Sequence, residues 1–138
     1  MAKRTDTLSP KQRSARMALI RHKHTKPELA VRRLIHSLGY RYRLHGRGLP
    51  GTPDLVFRSR RKVIFVHGCF WHLHAGCRNN RPPKSRASFW LPKLRGNRGR
   101  DRRNRREIAK MGWQSLVIWE CELDDLKALT DRVIEFLE

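Results

Sequence analysis

The sequence predicts a mixed α/β fold, a mixed sheet with helices on both faces, and three observations carry that prediction. Two short apolar runs, Leu55-Val56-Phe57 and Lys62-Val63-Ile64-Phe65-Val66-His67, flank a basic turn as the arms of a hairpin would. A further buried-type strand, Trp113 to Trp119, follows a long stretch of helical composition. The element order is then helix, strands, helix, strand, helix, and 138 residues suffice for one domain with a modest core.

Taken in order, residues 1–13 are expected to form a flexible basic arm and residues 14–138 a single folded domain. A short helix is expected over Ser14–Arg21, where Met17, Leu19 and Ile20 cluster. Pro27 suits the first turn of the next helix, with Thr25 or Lys26 near its cap and Glu28 complementing its dipole. Leu29, Leu34, Ile35 and Leu38 give that helix an apolar face, and Gly39 stops it. Tyr40 to Leu44 alternates as a first strand, and Leu49-Pro50-Gly51-Thr52-Pro53 is a turn that delivers Asp54 to the start of the next. Arg58 to Arg61 turn the chain into the Lys62–His67 strand. No periodicity marks Gly68 to Trp90. Pro92 is expected to open a helix reaching Met111, weakened by Gly96 and Gly99 and ended by Gly112. Asp124 or Asp125 caps a last amphipathic helix through Ile134 and Leu137.

Charge narrows the function. The chain carries 32 Lys and Arg against 12 Asp and Glu, a formal net charge of +20. Self-repulsion on that scale opposes compaction, and a polyanionic partner is its simplest counterweight, which points to nucleic acid. No apolar run is long enough to span a bilayer, and no apolar leader opens the sequence, so a membrane partner and secretion are not expected and a cytoplasmic, nucleoid-associated protein is. Three cysteines in such a chain argue against a disulfide framework. Between Thr7 and Arg100 the only carboxylates are Glu28 and Asp54. A lone carboxylate in so positive a region suppresses phosphate binding unless it holds something, and a hard divalent cation such as Mg²⁺ would bridge it to phosphate. A surface ion pair with an arginine is the alternative.

Two clusters carry chemistry. Cys69, His74 and Cys77 lie within nine residues, and Cys121 follows the Trp113–Trp119 strand, which offers a Cys₃His set for tetrahedral zinc. If the strands before Cys69 and Cys121 are parallel neighbours, both thiolates leave the sheet at the same end. The alternative is three ordinary buried cysteines. His67 and His72 flank Cys69, and the hairpin brings His67 toward Asp54. A carboxylate, the Val66 carbonyl and one or two imidazoles then surround one point, the parts that phosphodiester hydrolysis requires. Phe70 and Trp71, with Phe89-Trp90 at the far end of the loop, are candidate wedges for a base stack; packing on the zinc loop or core is equally open. The basic residues between Lys93 and Lys110 are expected to contact phosphate.

Pro50-Gly51-Thr52-Pro53-Asp54-Leu55-Val56 followed by Val66-His67-Gly68-Cys69-Phe70-Trp71-His72 resembles the very-short-patch repair (Vsr) endonucleases. Thr25-Lys26-Pro27-Glu28, Phe89-Trp90, Asn97 with Arg100-Asp101-Arg102-Arg103, and Gly112-Trp113 to Trp119-Glu120-Cys121 extend the resemblance from about Ser14 to Leu123. It implies a restriction-endonuclease-like three-layer core. It also implies Mg²⁺-dependent nicking 5′ to the thymine of T:G mismatches left by 5-methylcytosine deamination, which begins very short patch repair. Carried over, Asp54 binds Mg²⁺ with the Val66 carbonyl, His72 is the general base or positions the water, and His67 and Glu28 hold metal-bound waters and phosphate. Cys69, His74, Cys77 and Cys121 bind structural zinc. Phe70, Trp71, Trp90 and Met17 intercalate, and Lys93, Asn97, Arg100 and Arg103 contact DNA. A monomer acting on double-stranded DNA is expected, with mismatch-repair proteins as further partners. Nucleases of the wider fold place an acidic residue and a lysine where Phe65 and His67 stand, so the usual lysine is missing. Two readings stay open beside this one: a non-catalytic zinc-stabilised DNA- or RNA-binding module, and a nuclease directed at modified or foreign DNA.

Overall fold

The structure is a computed structural model that describes residues 25–75, 77 and 86–138. The N-terminal arm, the expected Ser14–Arg21 helix and Met17 lie outside the described residues. Helix α1, Lys26–Ser37, opens as Pro27 and the cap residue dictate: the Thr25 hydroxyl accepts from the Glu28 N–H at 3.3 Å. Gly39, at φ +93°, ends it, as a left-handed position requires. Strand β1 is only Arg43–Leu44, shorter than the alternation predicts. The Tyr40 N–H turns back to the Ile35 carbonyl and the Tyr42 hydroxyl donates to the Arg32 carbonyl, so residues 40–42 close the helix instead of joining the sheet. Strands β2 (Leu55–Phe57) and β3 (Lys62–His67) form the expected hairpin across a 3-10 turn at Arg58–Arg60.

Helix α2 spans Ala87–Lys110 and so begins well before Pro92. A proline near a helix start sacrifices one main-chain hydrogen bond, and Leu94 and Ile108, both fully buried and fourteen residues apart on one face, hold the helix through Gly96 and Gly99. Strand β4 (Gln114–Trp119) joins β3 in parallel, and helix α3 (Leu126–Leu137) is capped by the Asp125 carboxylate on the Ala128 N–H at 3.1 Å. The sheet order is β1-β2-β3-β4, with the first two pairings antiparallel.

Alternation along the strands assigns each face its own core. Leu55, Phe57, Ile64 and Ile118 pack with Val31 and Ile35 of α1 and Leu129, Val133 and Leu137 of α3. Val56, Val63, Phe65 and Val117 pack on the other face with Leu49 and Ile108. Each such side chain contributes about 1.5–3 kcal/mol on full burial. Helices therefore cover both faces of a four-stranded mixed sheet. Arg60 and Lys62 donate to the Leu137 and Phe136 carbonyls at 2.7 and 2.6 Å, placing cations at the C-terminal end of α3 where its dipole is negative.

Candidate active site

The β2–β3 hairpin builds the site. The β1–β2 ladder continues past the strands, the His45 N–H donating to the Asp54 carbonyl at 3.0 Å and the Gly46 N–H to that of Pro53 at 2.9 Å. His45 therefore stands opposite Asp54. The Asp54 carboxylate reaches across to β3 and accepts the Val66 N–H at 2.6 Å. Burial pushes its carboxyl up to about 7, the Val66 N–H pulls the other way, and the nearby Glu28 adds to the rise. Glu28 is almost wholly buried, pairs with Arg32 one turn along α1, and accepts from His45 Nε2 at 2.9 Å. Donor atoms of Glu28, His45 and Asp54 all lie within 4.8 Å of one another. Two carboxylates and an imidazole so confined suit a divalent cation.

A second group adjoins it. His67 ends β3, and His72 lies in the turn that follows; their rings stack at 3.8 Å with 4° between planes. His72 Nδ1 donates to Asp101 Oδ2 at 2.6 Å, while His67 Nε2 is 3.9 Å from Asp101 Oδ1. Stacked imidazoles do not both carry charge cheaply. Burial first, and the neighbouring His72 second, push His67 down to about 3, so it is neutral in any ordinary buffer. Its Nδ1 is buried and makes no hydrogen bond. Asp101 comes from the inward stripe of α2, where Leu94, Asn97, Asp101, Asn104 and Ile108 recur at steps of three and four. The stripe is apolar at its ends and polar at its middle. Asn97 Nδ2 donates to the Trp71 carbonyl at 3.1 Å, and Asn104 packs on Gly51, where a Cβ would lie 2.8 Å from its Nδ2. A cavity of about 340 Å³ is lined by His45, Asp54, Val66, His67, His72, Asp101, Asn104 and Arg105, among others.

At the same end of the sheet, donor atoms of Cys69, His74, Cys77 and Cys121 lie within 4.8 Å of one another. The parallel β3–β4 pairing puts Cys69 and Cys121 together, and Cys121 Sγ is 3.4 Å from His74 Nδ1. Four such atoms at the corners of a zinc tetrahedron stand roughly 3.8 Å apart given Zn–S bonds of about 2.3 Å, so the set fits a closed site with little movement. Burial and the adjacent thiols push Cys121 up to about 12, a cost that a cation among the sulfurs reverses. Beyond this knot Phe70, Trp71, Trp90 and Phe89 form one cluster of edge-to-face rings, with neighbouring centroids 5.0–6.3 Å apart, and Phe89 is 46% exposed.

Asp54, Val66, His67 and His72 thus meet around one cavity, as the hairpin predicts. Glu28 sits with Asp54 and His45. Of the basic set, Lys93 lies over the Trp90 ring at 5.8 Å, Arg103 is exposed, and Arg100 donates to Asn97, whose own amide is committed to Trp71. His45 and Asp101 are the members that the residue-by-residue reading misses. Extending the β1–β2 register by one residue finds His45, and the three-and-four spacing through Asn97 and Asn104 finds Asp101.

Residues 5–78 match the family described as DNA mismatch endonuclease Vsr. The chain is 55% identical over 134 residues to the type II nicking enzyme V.XorIIP of Xanthomonas oryzae pv. oryzae, covering 97% of this chain and 98% of that one. It is 40% identical over 129 residues to the type II nicking enzyme V.NmeAIP of Neisseria meningitidis, covering 94% and 91%. To the DNA mismatch endonuclease Vsr of Escherichia coli it is 39% identical over 122 residues, covering 88% and 78%.

Proposed function

This chain belongs to the Vsr family of DNA mismatch endonucleases, and from that premise we propose that it nicks one strand of duplex DNA on the 5′ side of the thymine in a T:G mismatch. It is a DNA-cleaving hydrolase; mismatches left by 5-methylcytosine deamination are its substrates in this reading, and the nick initiates very short patch repair. The observation that carries the proposal is the cavity in which half-buried Asp54, grouped with buried Glu28, meets the Asp101–His72–His67 array.

The Asp54 carboxylate and the Val66 carbonyl, with Glu28 behind them, are oxygen donors of the kind Mg²⁺ prefers. When bound there, Mg²⁺ supplies Lewis-acid polarisation of the scissile phosphate. The chain does the rest. With Nδ1 committed to Asp101, His72 has its other nitrogen free of that bond to take a proton from the attacking water, and Asp101 fixes the tautomer. Neutral His67 lines the cavity to hold a metal-bound water or a phosphate oxygen, and Arg105 at the cavity wall adds positive charge. The Cys₃His set holds structural zinc and fixes the loop that carries Phe70, Trp71 and His72. The clustered rings of Phe70, Trp71 and Trp90 act as the wedge, whose unstacking cost is lowest at a mispaired step. A mixed sheet covered by helices on both faces accords with a restriction-endonuclease-like core.

Strand-resolved product mapping tests the reading, using duplexes that differ only in a T:G pair. Mg²⁺-dependent cleavage of the thymine strand alone is expected, with Asp54→Ala inactive yet still bound to DNA. Comparable cleavage of the fully paired duplex, or an active Asp54→Ala protein, overturns it.

A further inference from the structure

His45 lines the cavity beside Asp54 and Val66, yet the hydrolytic steps assigned above do not use it. Its backbone is held twice, by the ladder bond to Asp54 and by a left-handed conformation at φ 49°. That conformation is strained for a non-glycine residue. The side chain is only 14% exposed, and its Nε2 points at Glu28 at 2.9 Å. One imidazole nitrogen and the carboxylate oxygens of Glu28 and Asp54 share a sphere in which every pair lies within 4.8 Å. Arg32 offsets part of the carboxylate charge, which leaves a site that is anionic and small.

We infer that His45 is a third ligand of the divalent-cation site, a nitrogen donor beside Glu28 and Asp54 that biases the site toward Mn²⁺ over Mg²⁺. The inference rests on the proposed reading of Asp54 as the holder of the catalytic cation. Its chemistry is that of donor preference: Mg²⁺ takes oxygen and gives up water reluctantly, whereas imidazole is a good ligand for first-row transition metals. The tautomer with its proton on Nδ1 presents the Nε2 lone pair to an ion, which then displaces the hydrogen bond to Glu28. A purely positioning role, in which His45 does no more than orient Glu28 through that bond, makes different demands: an amide in its place can keep the bond but supplies no metal-bound imidazole nitrogen.

Untagged, zinc-loaded full chain is titrated with Mn²⁺ and followed by electron paramagnetic resonance, with electron spin-echo detection of nitrogen coupling to the bound ion. Mg²⁺ affinity is read by competition. The variants are His45→Asn, which tolerates the left-handed backbone, His45→Gln, and Asp54→Asn. The wild type is expected to show nitrogen coupling that both His45 variants lose. Mn²⁺ binding should weaken about tenfold in those variants and Mg²⁺ binding by less than about threefold, as imidazole's preference for transition metals dictates. A wild-type spectrum without nitrogen coupling overturns the inference whether or not the variants fold. Coupling that persists in the His45 variants, or Mn²⁺ affinity unchanged in them, overturns it as well. If Asp54→Asn abolishes Mn²⁺ binding while the His45 variants bind normally, His45 alone is misassigned. If Asp54→Asn binds Mn²⁺ like the wild type, the Asp54 reading falls and takes the inference with it.

Discussion

Replacing Asp54 with asparagine should change how the fold responds to pH, and the sign follows from burial. The carboxyl rises from 3.8 in an unfolded chain to about 7 in the metal-free fold. An acid shifted upward stabilises the fold fully below its unfolded value and loses that contribution as pH climbs through about 7. Three pH units at about 1.4 kcal/mol each amount to roughly 4 kcal/mol, an order-of-magnitude figure. His67 runs the other way. Its shift from 6.5 down to about 3 means that the folded imidazole stays neutral where the unfolded one charges, so its contribution is full above 6.5 and falls away as pH drops. Between about pH 4 and 6.5 the two slopes nearly cancel in the wild type, and a flat profile conceals both. Subtraction exposes one of them. The stability of Asp54→Asn relative to wild type should rise by about 1.4 kcal/mol per pH unit across that window and on to about 7. Urea unfolding of zinc-loaded, magnesium-free protein at pH 4 to 8 measures it. A difference that stays constant within about 1 kcal/mol across the range refutes the claim that the metal-free fold pushes the Asp54 carboxyl up to about 7.

Asp101→Asn leaves the cavity intact but removes the charge that holds His72. A partner charge about 4 Å from an imidazolium at an effective dielectric near 20 is worth about 4 kcal/mol, and partial exposure halves that, so single-turnover nicking should slow about 30- to 1000-fold. DNA affinity measured by gel shift should stay within about threefold, because the Asp101 carboxylate is committed to His72 and an acid is not a phosphate-binding group. Cys121→Ser should reduce bound zinc from stoichiometric to trace by elemental analysis and open the loop after β3 to proteolysis, while retained zinc contradicts the Cys₃His assignment. Removing the exposed Arg103 charge should lower the slope of log K against log salt by about 0.9 without altering sequence preference. A slope unchanged by Arg103→Gln means the side chain is merely solvated.

The hairpin and its consequences were legible because their signals are local. Leu55–Phe57 and Lys62–His67 are short apolar runs, Thr25 and Pro27 announce a helix start, and residues flanking parallel strands share an end of the sheet, which brought Cys69 and Cys121 together. The start of α2 was not legible, since Arg86 to Leu91 carry aromatic and polar residues without a 3.6 period and Pro92 reads as a boundary. Tertiary contacts at Leu94 and Ile108 override that local signal. The polar middle of the α2 stripe was overlooked for a related reason: hydrophobic periodicity finds core faces, and a face that is apolar only at its ends looks like none. His45 required a register, and two residues of regular β1 give a weak one.

Trp119 closes β4 directly beside His67 in the register, and its ring lies between His67 and His74 of the Cys₃His set. The indole stacks on His74 at 4.0 Å and 5°, and meets His67 edge-on at 5.1 Å. One side chain is therefore a party wall: the Cys₃His set presses on one side of it, the stacked imidazoles lean on the other. A zinc-selective chelator, with Mg²⁺ kept in excess, should still halt cutting by letting that wall drift, and trimming the indole to leucine should blunt turnover before it lowers the melting temperature.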